Sequence, residues 1–271
     1  MNIRDSIAVV TGAGSGIGYA VSMELARRGA KLIAMVDRSD HVLETAKCVR
    51  NAGKSAVHTF QGDTTEPKFR ESVFDSVCEM CGPPNICVPA AGIARDALAV
   101  RMNKETLQPE IYPLDTFRQV IEVDLVAPIY WALEMLARIA KERFAAGLKR
   151  WQPEEGTQGV AVFIGSISSA GIKGQIAYSA SKAGLEGAAN TLGKEASYYG
   201  VRCGVIHPGF TDTPMVRALG EDYIRKHILP ETQLGRLIKP EEIADAICFM
   251  ASNSAVSGQL WADAGWHPSA A

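Results

Sequence analysis

Short runs rich in valine, isoleucine and alanine alternate along this chain with longer amphipathic stretches, and this alternation narrows the possible folds more than any other feature. The apolar runs fall at residues 6–12, 31–37, 55–63, 85–92, 159–167, 201–209 and 259–265. Most are apolar almost without interruption, so a strand built from one needs cover on both faces. Helix-period stretches lie between them, at 17–28 with Gly29 as a stop, 41–53, near 66–80, near 115–145 and at 178–198. That order predicts the α/β class: a doubly wound parallel sheet of about seven strands with helices on both faces. No linker, repeat or low-complexity tract divides the chain, so residues 1–271 read as one domain. Two stretches rich in proline and polar residues, 103–115 and 148–159, read as inserted surface loops.

Composition excludes several classes of partner. The chain has 271 residues, 47% hydrophobic and 21% charged, enough for a substantial core without staples. Its formal charge is −2, and no run of Lys or Arg exceeds a pair, so a nucleic-acid surface is not expected. No stretch approaches the roughly 18 apolar residues of a membrane span, and the N-terminus carries no secretory pattern. The expectation is a cytoplasmic chain with a small-molecule partner. Six cysteines are too scattered for a disulfide framework. Cys78-x-x-Cys81 has no nearby histidine and no second pair, so no metal is expected and the thiols read as free.

The sequence TGAGSGIG at 11–18 follows the first strand and opens the first helix. It does not fit G-x-G-x-x-G in any register, yet the setting is that of a dinucleotide loop. Gly12, Gly16 and Gly18 would let the backbone approach a pyrophosphate, while Ser15 and Ile17 stand at a helix N-terminus rich in free N–H groups. Asp37 ends the second strand, where a carboxylate can accept from ribose hydroxyls and repel a 2′-phosphate. Arg38 could attract that phosphate, but Ser15 puts no second basic group in the loop. The reading is NAD rather than NADP.

Tyr178 and Lys182 stand at i and i+4 in AYSASKAG, on one helix face about 6 Å apart along the axis. A phenol normally titrates near 10, and an adjacent cation favours the phenolate, so a lowered Tyr178 pKa is expected. Such a group suits proton exchange with an alcohol or carbonyl. Ser166 ends the fifth strand, where open α/β sheets bind ligands, and its hydroxyl can hydrogen-bond a substrate oxygen.

Thr11-Gly12-x-x-x-Gly16-x-Gly18, Ser166, Tyr178-x-x-x-Lys182 and Pro208-Gly209 together resemble the short-chain dehydrogenase/reductase family over nearly the whole chain. Within it, RDALAVRM (95–102) and HPGFTDTPMVRAL (207–219) are similar to 3-oxoacyl-carrier-protein-reductase-like members. The resemblance implies NAD(P)-dependent exchange between a secondary alcohol and a ketone. Tyr178 would be the general acid/base, Lys182 would hold the nicotinamide ribose, and Ser166 would orient the substrate oxygen, with Ser168 in reserve. Asp63 with Thr64 would meet adenine. Ala90, Ala91 and Gly92 would line the cofactor edge, and Pro208, Gly209, Thr211 and Thr213 would face the nicotinamide carboxamide and phosphates. Residues near 210–234 would form the substrate loop, and the long helices would build a tetramer or a dimer.

Two departures stand out. The usual Asn-Asn-Ala-Gly is Pro89-Ala90-Ala91-Gly92, and Asp124 replaces the asparagine counted as a fourth catalytic residue. A carboxylate can accept from the relay water and from Lys182, but it cannot donate unless protonated. The rival to an enzyme is a catalytically quiet NAD-binding sensor or scaffold, for which the altered asparagines argue and the retained Tyr178 argues against.

Overall fold

The computed structural model describes residues 1–266. Seven strands form one parallel sheet: β1 (Ile7–Thr11), β2 (Leu32–Asp37), β3 (Ala56–Gln61), β4 (Ile86–Pro89), and, further along the chain, β7 (Gly159–Ile164), β8 (Val201–Pro208) and β9 (Gly258–Ala262). Their spatial order is β3-β2-β1-β4-β7-β8-β9. The strand order therefore reverses beside β1, and the crevice above the carboxyl ends of β1 and β4 is a topological switch point.

The apolar runs form strands because alternate residues serve two cores. Ala8, Val10, Ile33, Met35, Ile86 and Val162 point to one face, covered by α1 (Gly16–Arg27), α2 (His41–Ala52) and α9 (Pro240–Ser252). Val9, Leu32, Ala34, Val36, Cys87 and Phe163 point to the other, covered by α3 (Pro67–Cys81), α5 (Ala127–Ala145) and α6 (Ile176–Ala196). Trp131 of α5 is fully buried there, tilted against Phe74 at 5.6 Å, and its indole N–H donates to the Thr64 carbonyl at 2.9 Å. That bond ties a core anchor to the loop that carries Asp63.

Three segments differ from the sequence reading. The stretch at 103–115 is not all loop: β5 (Val100–Met102) and β6 (Pro109–Ile111) form a small antiparallel ribbon. The stretch at 148–159 is bound to the fold rather than laid over it. Arg143, almost wholly buried, holds both carboxylate oxygens of Glu155 at 2.6 and 3.2 Å, and Trp151 packs where a side chain at Gly200 would have to go. The helix expected near 115–145 is interrupted, since α4 (Leu114–Ile121) passes into a π turn at Glu122–Val126 before α5 begins. Such one-residue expansions of a helix cluster at functional sites, and this one carries Asp124.

Candidate active site

A cleft of about 590 Å³ opens above the carboxyl ends of the strands at the switch point. Gly12, Ser15, Gly16, Ile17 and Gly18 form one wall, with Asp37, Asp63 and Thr64 beyond them. Ala90, Ala91, Gly92, Tyr178, Lys182 and Thr213 line the cleft as well, Thr213 against Gly16 of the glycine loop. Four expected groups are thus brought together from strands far apart in sequence.

The glycine loop has little room to vary. Gly12 has φ +64°, and a Cβ there would lie 2.8 Å from the Ala91 backbone; a Cβ on Gly18 would collide with the Gly12 carbonyl. Asp37 braces the same loop, since its Oδ2 accepts the Gly14 N–H at 2.8 Å and its Oδ1 accepts the Ser39 N–H at 2.8 Å. Thr11 Oγ1 accepts the Ala91 N–H at 3.1 Å, which joins β1 to the segment after β4 where no asparagine does so. Asp63 accepts the Thr65 N–H and hydroxyl at 2.9 and 2.7 Å, bonds that hold its carboxyl below the ordinary range.

The cleft fits a dinucleotide. It is lined by bare glycine backbone and by a helix N-terminus without acidic side chains in the first turn. Pro208, Gly209 and Thr211, expected to face the cofactor, are not on the cleft wall. A side chain at Gly209 would meet the Asp263 backbone, and the buried Thr211 donates its hydroxyl to the Gly209 carbonyl at 3.0 Å. This turn delivers Thr213, Pro214 and Met215 to the wall instead. Sequence reasoning also passed over Gln119, Glu122 and Val123, which line the cleft from α4 and the π turn. Their i, i+3, i+4 spacing beside Asp124 was the available signal.

Tyr178 is half-buried and Lys182 almost wholly buried. The Lys182 Nζ lies 5.3 Å from the centroid of the phenol ring, donates to the Ile164 carbonyl at 3.1 Å, and stands 3.3 Å from Asp124 Oδ2. Asp124 is fully buried. Its Oδ1 accepts the Ile93 N–H at 2.9 Å, while Oδ2 makes no well-aligned hydrogen bond. Burial pushes the Asp124 carboxyl above its ordinary value, against the pull of Lys182 and of the Ile93 N–H. Desolvation acts to lower the Lys182 pKa, but Asp124 and Tyr178 together outweigh it and hold the ammonium above its usual value.

One expectation is reversed here. The Tyr178 pKa is raised, not lowered: burial pushes it up, Lys182 pulls it down, and Asp124 adds a second upward push. A carboxylate beside the lysine cancels part of the field that would favour phenolate. Ser166, within hydrogen-bonding reach of the phenol, pulls downward as well. Ser166 caps the short turn Ile167–Ala170, and its Oγ accepts the Ser168 N–H at 3.0 Å. The Ser168 hydroxyl is engaged elsewhere, donating to Gln175 Oε1 at 2.8 Å, while Gln175 in turn donates to Asp96 at 2.7 Å. Asp124 is wholly buried behind the cleft wall, whereas Ser166 keeps 8% exposure beside Tyr178, which lines the cleft.

A doubly wound parallel sheet with a glycine loop at its switch point defines a Rossmann-like nucleotide-binding fold. A solved short-chain type dehydrogenase/reductase from Mycobacterium marinum shares that fold, with a TM-score of 0.82 at 22% identity over 98% of this chain and 96% of the other. The family model for short chain dehydrogenases matches residues 6–224. The chain is 34% identical to a 3-oxoacyl-[acyl-carrier-protein] reductase of Escherichia coli, over 94% of this chain and 93% of the relative. It is 32% identical to a (3R)-3-hydroxyacyl-CoA dehydrogenase of Canis lupus familiaris, over 93% and 91%. The protein belongs to the short-chain dehydrogenase family, whose members are nicotinamide-dependent oxidoreductases. Among the described residues, no helix is long and apolar enough to cross a membrane.

Proposed function

We propose that this protein is an NAD(H)-dependent oxidoreductase that interconverts a secondary alcohol and a ketone, with Tyr178 as the general acid/base. The observation that carries the reading is the buried Lys182 ammonium against the Tyr178 ring, both lining the same cleft as the glycine loop. The glycine loop, Asp37 and Asp63 would hold the adenosine half of the cofactor, and Lys182 and Thr213 the nicotinamide half. When bound, the cofactor supplies hydride exchange with the substrate carbon. The chain's own work is then to place the substrate oxygen between Ser166 and Tyr178 and to move one proton at Tyr178 Oη. Ser166 is favoured over Ser168 because its hydroxyl is free to donate, whereas Ser168 spends its proton on Gln175. Lys182 steadies the phenolate left after Tyr178 has protonated a ketone.

Asp37 supports NAD over NADP. Its carboxylate is fixed on the cleft wall by the Gly14 and Ser39 amides, with lone pairs left for a ribose diol and a charge that repels a 2′-phosphate. Arg38 also lines the cleft and is the group that NADP would use. The relatives' names point to 3-hydroxyacyl and 3-oxoacyl thioesters as the first substrates to try. The exposed Tyr130, Leu133 and Phe144 on and beside α5, with Trp261 on β9, support a homo-oligomer, a tetramer or a dimer. The test is a panel of secondary alcohols, ketones and 3-oxoacyl thioesters, each run with both cofactors and followed by nicotinamide absorbance. Turnover is expected with NAD(H), and Asp37→Ala is expected to narrow or reverse the preference over NADP(H). Cofactor binding with no turnover across the panel would favour a sensor instead.

A near-isosteric exchange at Asp124, carboxylate for amide, provides a second prediction. In the direction of alcohol oxidation the rate follows the phenolate fraction, so it climbs as pH rises through the Tyr178 pKa. Asp124 is one of the groups holding that pKa up. Asp124→Asn should therefore move the rising limb of the pH–rate curve to lower pH, with turnover retained. An unchanged curve would show that Asp124 has no part in setting the proton exchange.

A further inference from the structure

We infer that His207 is a positioning residue for this reaction: a buried imidazole that fixes the Ser166 turn by holding its main-chain carbonyl. The inference rests on the alcohol–ketone reading of the site, and it assigns a part to a residue outside the cleft wall.

His207 lies one residue from the end of β8 and is fully buried. Its Nδ1 stands 3.2 Å from the Ser166 carbonyl oxygen. The Ser166 carbonyl only accepts and is nearer than the Ser169 hydroxyl at 3.5 Å, which can also accept, so Nδ1 carries the proton and is the donor. Burial keeps the imidazole below its ordinary pKa, against the Ser166 carbonyl, the Glu186 carboxylate, the Gln259 side chain and the Asp263 carboxylate, so the ring is neutral near pH 7. Nε2 is then left with a lone pair 3.9 Å from Glu186 Oε1, and no well-aligned hydrogen bond reaches it. The ring plane is set from the other side. Trp261, its register partner on β9, stacks on it at 4.2 Å with an interplanar angle of 16°.

The same ring decides what can precede the serine. A Cβ added to Gly165 would lie 2.7 Å from His207 Nδ1 and 2.7 Å from Val205 Cγ1, so the space a side chain would need is already filled. With Gly165 forced to remain bare, Ser166 is the first hydroxyl past β7, and its own backbone is the one His207 holds. The Nδ1 hydrogen bond thus holds the turn, and the same ring leaves no room for a side chain at Gly165. Ser166 is in hydrogen-bonding reach of Tyr178, so a rotation of this peptide would move the hydroxyl away from the substrate oxygen.

The test compares three substitutions in the full-length enzyme. An asparagine amide reproduces the donor at Nδ1, a glutamine amide reaches toward the Nε2 position, and leucine fills space without a donor. His207→Leu and His207→Gln are expected to lower kcat at least about tenfold, with cofactor affinity by NADH fluorescence within about twofold of the parent. His207→Asn is expected to recover most of kcat. Amide hydrogen exchange of residues 166–171 should speed up in the leucine variant and not in the asparagine variant, which reads the hold on the turn without needing turnover. Equal kcat in the leucine and asparagine variants, or exchange unchanged in both, would overturn the inference. A parent enzyme without turnover on any substrate would overturn the reading of the site, while the exchange comparison would still decide whether His207 holds the turn.

Discussion

Tyr178→Phe is expected to lower kcat by about 10²–10⁴-fold while leaving cofactor binding within about twofold. The substitution removes one oxygen and keeps the ring that packs over Lys182, so the cleft wall retains its shape. What is lost is the phenol proton donor that stands beside Ser166 and Lys182 on the cleft wall. A general acid/base of this kind acts in the transition state, so the loss should appear in kcat and in kcat/KM alike, not as weaker ground-state binding. Stopped assays of turnover, paired with NADH fluorescence titrations, separate the two. A phenylalanine variant that turns over at the parent rate would remove Tyr178 from the chemistry. It would also restore the sensor or scaffold as the better account of why a nicotinamide cleft is present.

The second large effect is on stability and comes from Lys182. Lys182→Met removes the cation that stands 3.3 Å from a fully buried carboxylate. Breaking a buried pair from one side leaves an uncompensated charge, and such changes cost about 3–5 kcal/mol. The sign of the pH dependence follows from Asp124, whose folded-state pKa is already raised by burial and would lose the lysine's opposing pull. A carboxyl with a raised folded-state pKa destabilises the fold when ionised. The penalty is therefore largest at neutral and alkaline pH and fades as pH falls through that raised value. Adding Asp124→Asn to Lys182→Met should return most of the lost stability in urea unfolding without restoring turnover. If the single variant unfolds at the parent's midpoint across this pH range, the pair is not the strongly coupled unit described.

How much of this was legible in the chain depends on how local the cause is. The strands could be read because each is a run whose alternate residues all meet a core, as Ala8 to Val10 and Leu32 to Val36 do. The glycine loop and the Tyr178–Lys182 pair could be read because their spacings are short and their geometry follows from one turn of helix. The β5–β6 ribbon could not, since each strand is three residues long, Pro109 sits in one of them, and the exposed faces leave no burial pattern. The tethering of Trp151 to Gly200 and of Glu155 to Arg143 depends on chain segments that only folding brings together. The direction of the Tyr178 shift was missed for the same reason. The lysine was visible four residues away, whereas burial and a carboxylate from position 124 outweigh it only in three dimensions. The placement of Pro208, Gly209 and Thr211 shows a further limit, since a motif can lie behind a site as the support for residues that reach it.

The π turn at Glu122–Val126 is, in terms of chain length, one residue more than a continuous α-helix would use. A π turn spends that extra residue within nearly the same rotation, so deleting a single residue within 122–126 would restore regular helix with α4 and α5 still in phase, and would remove the bulge that carries Asp124. Trp131 and Met135 on α5 and Gln119 on α4 would keep their places, and the loss would fall on Asp124 and its contacts with Lys182 and the Ile93 N–H. A one-codon deletion here would therefore yield a smoother helix and a poorer site. Reading-frame-preserving deletions elsewhere along α5 would shift the buried stripe itself and so damage the core.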